Sequence, residues 1–330
     1  MTTDPLEVAT GAGVVRGLRV RGALAWRGIP FAAAPVGGLR FRAPAAMAPW
    51  DTTLDATRFG PVAAQDRKGP FAGPPAGTPR SENCLTLNVL SPANSGGEPR
   101  PVMVYIHGGA YSVGAPRSVP DRGINFVRRG IVHVTFNYRL GAFGYLDFSG
   151  YGFDNNLGLR DQVAALEWVR DNIAAFGGDP GNVTVYGESS GGNAVTTLLA
   201  TPSARGLFAR AIAQSPPSNA VYWPSDTRAW AREFLELLGT EPGSARQALR
   251  SASTEDLVTA ARLLFARIPD EYPGDQAFSP VVDGDFLPQH PLQAFRDGRA
   301  HPVPLMIGTN DREGSVFTGR RRILATTPSR

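Results

Sequence analysis

The chain is poor in the residues that build disulfides, metal clusters and membrane spans. Its 330 residues include one cysteine, Cys84, and four histidines. A lone cysteine excludes an internal disulfide and fits a reducing compartment. No apolar run approaches the ~18 residues that a spanning helix needs, and the N-terminal MTTDPLEVATGAGVVRG has no basic-then-apolar stretch. No membrane span and no secretory leader are therefore expected, and the expected location is cytoplasmic. No metal-ligand spacing, phosphate loop or cofactor signature appears, so no cofactor is implied. The net charge of +4 does not indicate nucleic acid. It resides in the C-terminal stretch, where Arg312, Arg320, Arg321, Arg322 and Arg330 face only Glu313, leaving the rest neutral. A nucleic-acid partner would need a basic face on the folded body.

What is present is core-forming sequence: 42% hydrophobic against 19% charged residues, enough for a large buried interior. Short strands interrupted by glycine are expected at Leu6–Ala9, Val14–Val20 and Leu24–Gly28, then a Gly/Pro-rich surface loop over residues 66–80. Strands and helices alternate from there: strands at Leu85–Leu90, Val102–Ile106, Ile131–Asn137, Val183–Tyr186, Ala211–Gln214 and Val303–Ile307, helices near Arg122–Arg129, Leu159–Ala175 and Gly191–Leu199. Leu159, Val163, Leu166, Val169 and Ile173 share a helical face, which Gly177 and Gly178 terminate. Ser225 is the expected cap of a further helix carrying Trp230, Phe234, Leu237 and Leu238. The alternation predicts an α/β fold, a mainly parallel twisted sheet flanked by helices. No linker divides the chain, so residues 1–330 read as one domain.

Three strand ends carry chemistry. Val183–Tyr186 runs into Gly187-Glu188-Ser189-Ser190-Gly191, a G-x-S-x-G turn between a strand and a helix. Such a turn is strained and presents its serine hydroxyl, while the helix N-terminus offers backbone N–H groups to developing negative charge. A tight turn with an idle serine fits the same pattern. Val102–Ile106 ends in His107-Gly108-Gly109-Ala110-Tyr111. Glycines there let backbone donors approach an oxyanion, and His107 reads as an anchor of that loop rather than a base. Beyond Val303–Ile307, Glu313 is a carboxylate where α/β sheets place catalytic groups; alone, it equally fits a solvated loop acid. Tyr111, Phe143 and Tyr145 are candidates for an apolar substrate pocket or for core.

These motifs, with Gly28-Ile-Pro-Phe-Ala, Pro35-Val-Gly-Gly-Leu-Arg-Phe41, Ser81-Glu-Asn-Cys-Leu-Thr-Leu-Asn-Val89, Asn137-Tyr-Arg-Leu-Gly-Ala-Phe-Gly144, Asn156-Leu-Gly-Leu-Arg-Asp-Gln162, Phe176-Gly-Gly-Asp-Pro180 and Gly308-Thr-Asn-Asp-Arg-Glu-Gly314, make the chain resemble the type-B carboxylesterases. The resemblance runs through nearly the whole chain. It implies the α/β-hydrolase fold, a small-molecule ester as substrate, Ser189 as nucleophile and Glu313 as triad acid. It further implies that Gly109, Ala110 and Ser190 donate the oxyanion-hole N–H groups. Ser190 stands where the family usually has alanine, and Arg312 where it usually has an acid. Glu188 is implied to face the active-site water.

The family's triad runs serine, acid, histidine in chain order, yet His107, His133, His290 and His301 all precede Glu313. The resemblance thus covers the first two-thirds of such an enzyme, lacking the last strand or strands and the base. On this reading the chain is C-terminally truncated, weak or inactive as an esterase, and open to completion by a complementing C-terminal segment. The strand Val303–Ile307 is then expected to form a bare apolar edge. Two alternatives stand beside it: a non-catalytic, cholinesterase-like binding or structural protein, and a short hydrolase using His290 or His301.

Overall fold

The computed structural model describes residues 4–66, 73–93, 97–116 and 122–317. Its centre is an eight-stranded sheet: β1 (Leu18–Val20), β2 (Ala23–Pro30), β3 (Thr86–Pro92), β4 (Arg100–Ile106), β5 (Val132–Phe136), β6 (Gly178–Glu188), β7 (Arg210–Gln214) and β8 (Leu305–Gly308). The spatial order is β8-β7-β6-β4-β5-β3-β2-β1. The five strands from β4 to β8 are mutually parallel. The first three join antiparallel, so the sheet is mixed, with its larger part parallel as expected. The difference lies in the connections. Arg21 and Gly22, both at positive φ, close a two-residue hairpin between β1 and β2, whereas parallel strands need long crossovers.

Those crossovers are helices: α1 (Arg122–Val127), α2 (Leu157–Asn172), α3 (Ser190–Leu198), α4 (Pro224–Leu237) and α5 (Thr254–Glu271). The apolar face of α2 is buried at Leu159, Val163, Leu166 and Val169, and Ile173 continues it in a short 3-10 turn that Gly177 ends at φ 81°. Two local expectations change. The start of α4 is Pro224, with Trp223 at the cap position; proline is suited to the first turn because its missing N–H has no acceptor there. Ser225 therefore lies inside the helix and does not cap it. The expected strand over Val14–Val20 is two, because Gly17 packs on the Ala25 carbonyl and the Trp26 ring, where a Cβ would fall within 2.7 Å of either. At the other end of the expected loop, Arg80 and Ser81 pair with Val62 and Ala63; residues 67–72 lie outside the described set.

Outside β8 no further strand pairs among the described residues. Met306 is 68% and Ile307 55% exposed, so the last strand is an apolar edge, as expected. The opposite extreme is the Arg139–Asp161 pair between the β5–α2 connection and α2. The Asp161 carboxylate accepts from Arg139 Nε (2.8 Å), Nη2 (2.6 Å) and backbone N (3.0 Å), and both side chains are buried. Asp161→Ala would strand a buried guanidinium. The expected loss is about 3–5 kcal/mol of unfolding free energy, checked by urea denaturation; a loss below about 1 kcal/mol would contradict it.

Candidate active site

The turn after β6 is built by close backbone approach. A Cβ on Gly187 would lie 2.4 Å from the Gly191 carbonyl oxygen, and one on Gly191 would lie 2.2 Å from the Ile106 carbonyl oxygen. Only glycine fits either place. Between them Ser189 adopts φ 59°, ψ −127°, a conformation costly for a residue with a Cβ. Its N–H donates to the Gln214 carbonyl (2.9 Å) and its carbonyl accepts from Asn193 N (2.9 Å), so β7 and α3 both hold it. The serine is half-buried and Glu188 is exposed.

The loop after β4 lies directly on this turn. A Cβ on Gly108 would fall 2.4 Å from the Glu188 carbonyl oxygen and 3.2 Å from Ser189 Cβ. Gly109, Ala110 and Tyr111 follow at φ 121°, 53° and 52°. Among the described residues the Gly109 and Ala110 N–H groups donate to no protein acceptor. Ser190 is the first residue of α3, where a backbone N–H has no acceptor within its own helix. Gly109 and Ala110 thus follow the residue that packs on Ser189, and Ser190 follows Ser189 directly. The Ser190 hydroxyl accepts from Tyr111 N (3.3 Å), an interaction alanine could not make.

Glu313 opens the turn after β8. Its Oε2 accepts from Asn310 N and Asn310 Nδ2, both at 2.9 Å. Asn310 Nδ2 also donates to Ser215 Oγ (3.1 Å). The Ser215 hydroxyl, then the Asn310 backbone and side chain, hold the carboxyl below its usual pKa. Ser215 sits at φ 47° and directly follows Gln214, the residue whose carbonyl holds Ser189 N. Glu313 and Ser189 are therefore linked through the two residues at the end of β7. Sequence reasoning missed Ser215 and Asn310. Ser215 carries no motif, and its only signal is its place just past a strand adjacent to the serine strand.

None of the four histidines hydrogen-bonds Ser189 or Glu313 among the described residues. His107 is buried, its Nδ1 3.0 Å from the Gly108 carbonyl and its ring stacked on Tyr138 at 4.4 Å. The Tyr138 hydroxyl donates to the His107 carbonyl (2.6 Å), so this histidine fixes the root of the glycine loop. His133 lies in β5 with Nε2 2.8 Å from the Tyr186 hydroxyl. His290 caps the short helix Pro291–Arg296 by accepting from Leu292 N (3.2 Å), and His301 Nε2 lies 2.8 Å from the Thr201 carbonyl. Tyr111 and Tyr145 are core, with rings 4.2 Å apart. Phe143 is core as well, stacked on Phe41 at 5.5 Å, and also lines a cavity of about 490 Å³ behind the glycine loop, with Ser112, Val113, Leu140 and Phe265. Among the described residues no cluster of metal-ligating side chains occurs, and no helix is long and apolar enough to cross a membrane.

A sequence model of the carboxylesterase family matches residues 4–323. The chain belongs to the carboxylesterase family. It is 41% identical over 314 residues to the para-nitrobenzyl esterase of Bacillus subtilis (strain 168), covering 94% of this chain and 63% of that protein. It is 38% identical over 322 residues to the phenmedipham hydrolase of Pseudarthrobacter oxydans, covering 96% and 63%. A solved PNB esterase superposes with a TM-score of 0.87 at 40% identity, over 95% of this chain and 65% of that one. A thermophilic PNB esterase gives 0.89 at the same identity and coverage. The fold is accordingly that of the α/β-hydrolases. The chain spans less than two thirds of the length of these relatives.

Two predictions come from the titrating groups. Ser215→Ala removes the largest influence on Glu313, so the Glu313 pKa should rise, as followed by ¹³C carboxyl NMR titration; an unchanged value would contradict the hydrogen bond. Burial pushes His107 and His133 each down to about 4 from the usual 6.5. The unfolded chain then binds more protons between these values. The stability contributed by the neutral rings is complete above pH 6.5 and lost as pH falls through 4. His133→Phe should flatten that decline in urea titrations; an unchanged slope would contradict it.

Proposed function

We propose that the chain carries the nucleophile, oxyanion donors and acid of a serine carboxylesterase that cleaves small-molecule carboxylic esters. The observation that carries this reading is the seating of the glycine loop on the serine turn, with Gly108 against Glu188 and Ser189. That contact supports a role for the neighbouring backbone N–H groups as donors to an oxyanion formed at Ser189. The Ser189 hydroxyl attacks the ester carbonyl, its proton leaves to a base, and the tetrahedral oxyanion accepts from the N–H groups of Gly109, Ala110 and Ser190. Loss of the alcohol leaves an acyl-serine that water hydrolyses by the reverse sequence. Glu313 orients the histidine that serves as base.

That histidine is none of the four in this chain, each of which is engaged elsewhere in the fold. We infer that it belongs to a polypeptide segment that adds to the exposed edge of β8, covers Met306 and Ile307, and places an imidazole between Glu313 and Ser189. The 330 residues by themselves are then a weak esterase or none. A reducing, cytoplasmic setting is proposed with this activity on the strength of the unpaired, buried Cys84. A non-catalytic binding role gains support from the displaced histidines, but it gives no reason for the strained conformation at Ser189.

The test is a fluorophosphonate ester followed by mass spectrometry, together with hydrolysis of p-nitrophenyl acetate. Slow modification of Ser189, abolished by Ser189→Ala, is the expected outcome. Residual turnover of roughly 10³–10⁴ over water is expected from the oxyanion donors and binding alone. Modification elsewhere with Ser189 untouched would overturn the nucleophile. A kcat in the ordinary range of about 1–10³ s⁻¹ would overturn the inference about the base.

A further inference from the structure

We propose that Asn193 is a positioning residue whose side-chain amide interlocks the oxyanion loop, the nucleophile helix and the segment that reaches the acid. The proposal deepens the esterase reading and rests on it. Asn193 lies one turn into α3 and is completely buried, as is Tyr111. Its Oδ1 accepts from the Tyr111 hydroxyl at 2.6 Å and its Nδ2 donates to the Pro217 carbonyl at 2.7 Å. The Pro217 carbonyl can only accept, which fixes which end of the amide faces it and leaves the oxygen for the tyrosine.

The three anchored segments surround Ser189. Tyr111 directly follows Ala110, one of the proposed oxyanion donors. Asn193 N donates to the Ser189 carbonyl, so the interlocking residue is already bonded to the nucleophile. Pro217 lies two residues beyond Ser215, whose hydroxyl accepts from Asn310, the residue that also donates to Glu313. The loop requires such restraint. Ala110 and Tyr111 hold left-handed conformations that residues with a Cβ keep only where the surroundings over-determine them. Two other bonds reach Tyr111, from its own N–H to the Ser190 hydroxyl and from Gly141 N to its carbonyl. Both hold its backbone. Among the described residues, the Asn193 amide is the hydrogen-bond partner at the far end of its side chain and ties it to α3. Leucine could fill the volume but make neither bond.

The experiment compares wild type, Tyr111→Phe, Asn193→Leu and the double variant. Two quantities are read: hydrogen exchange of the amides at 108–113, and phosphonylation of Ser189 with its maximal rate and its reagent affinity resolved separately. Each single variant should raise exchange in that loop about tenfold or more and lower the maximal phosphonylation rate about 10- to 100-fold, with affinity changed less than twofold. A loss of general packing would move affinity and exchange throughout the sheet as well. The double variant should be no worse than Asn193→Leu, since that variant already lacks the bond that Tyr111→Phe removes. Loop exchange and maximal rate within twofold of wild type would overturn the interlock. Should Asn193→Leu fail to fold, Tyr111→Phe decides alone, because it deletes one oxygen and keeps the ring. Wild-type protein that leaves Ser189 unmodified would overturn the esterase reading, and the exchange data would then decide the interlock by themselves.

Discussion

The Ile106 carbonyl, at the end of β4, has glycine on two sides: Gly187 before the serine and Gly191 after it. Because neither carries a side chain, β6 and α3 close onto β4 at backbone distance. The turn between them has no room to relax, and Ser189 is forced to positive φ. The next residues of β4's chain, His107 and Gly108, then lie against the same turn. A methyl group at any of Gly108, Gly187 or Gly191 would meet a backbone oxygen that cannot swing aside. The position of Ser189 relative to the glycine loop therefore follows from contacts between main chains, and the side chains nearby reinforce a geometry already set.

Electrostatics at the site is arranged by hydrogen bonds to a single charge. Glu313 is solvent-exposed, yet the nearby Ser215 hydroxyl and two hydrogen bonds from Asn310 favour its ionised form. An ionised carboxylate at this place suits the orientation of an imidazole that becomes positively charged as it accepts the serine proton. The histidines the chain does contain are suited to other work. His107 and His133 are held neutral by burial and fill aromatic clusters with Tyr138 and with Phe126 and Tyr186. A group held neutral down to about pH 4 in the core is a packing element and a poor general base at neutral pH.

Much of this was legible in the residues. Strand ends at Ile106, Tyr186 and Ile307 could be placed to within two residues because apolar runs stop at or near glycine, and the G-x-S-x-G and His-Gly-Gly motifs follow two of those ends. The antiparallel third of the sheet was less visible, since a short β-branched run has the same appearance in either pairing. Ser225 resembled a cap because serine commonly is one, but Pro224 before it was the stronger signal. Ser215, Asn193 and Tyr111 were beyond reach as partners. Their bonds join positions 82 and 95 residues apart in the chain, and no local pattern in the sequence marks a long-range pair.

The most direct test of the account is a crystal structure of the chain after reaction with an alkyl fluorophosphonate. A covalent bond from phosphorus to Ser189 Oγ is expected. The phosphoryl oxygen should lie within about 2.7–3.1 Å of the N–H groups of Gly109, Ala110 and Ser190. An adduct on Ser189 whose phosphoryl oxygen points to solvent, away from those three donors, would contradict it.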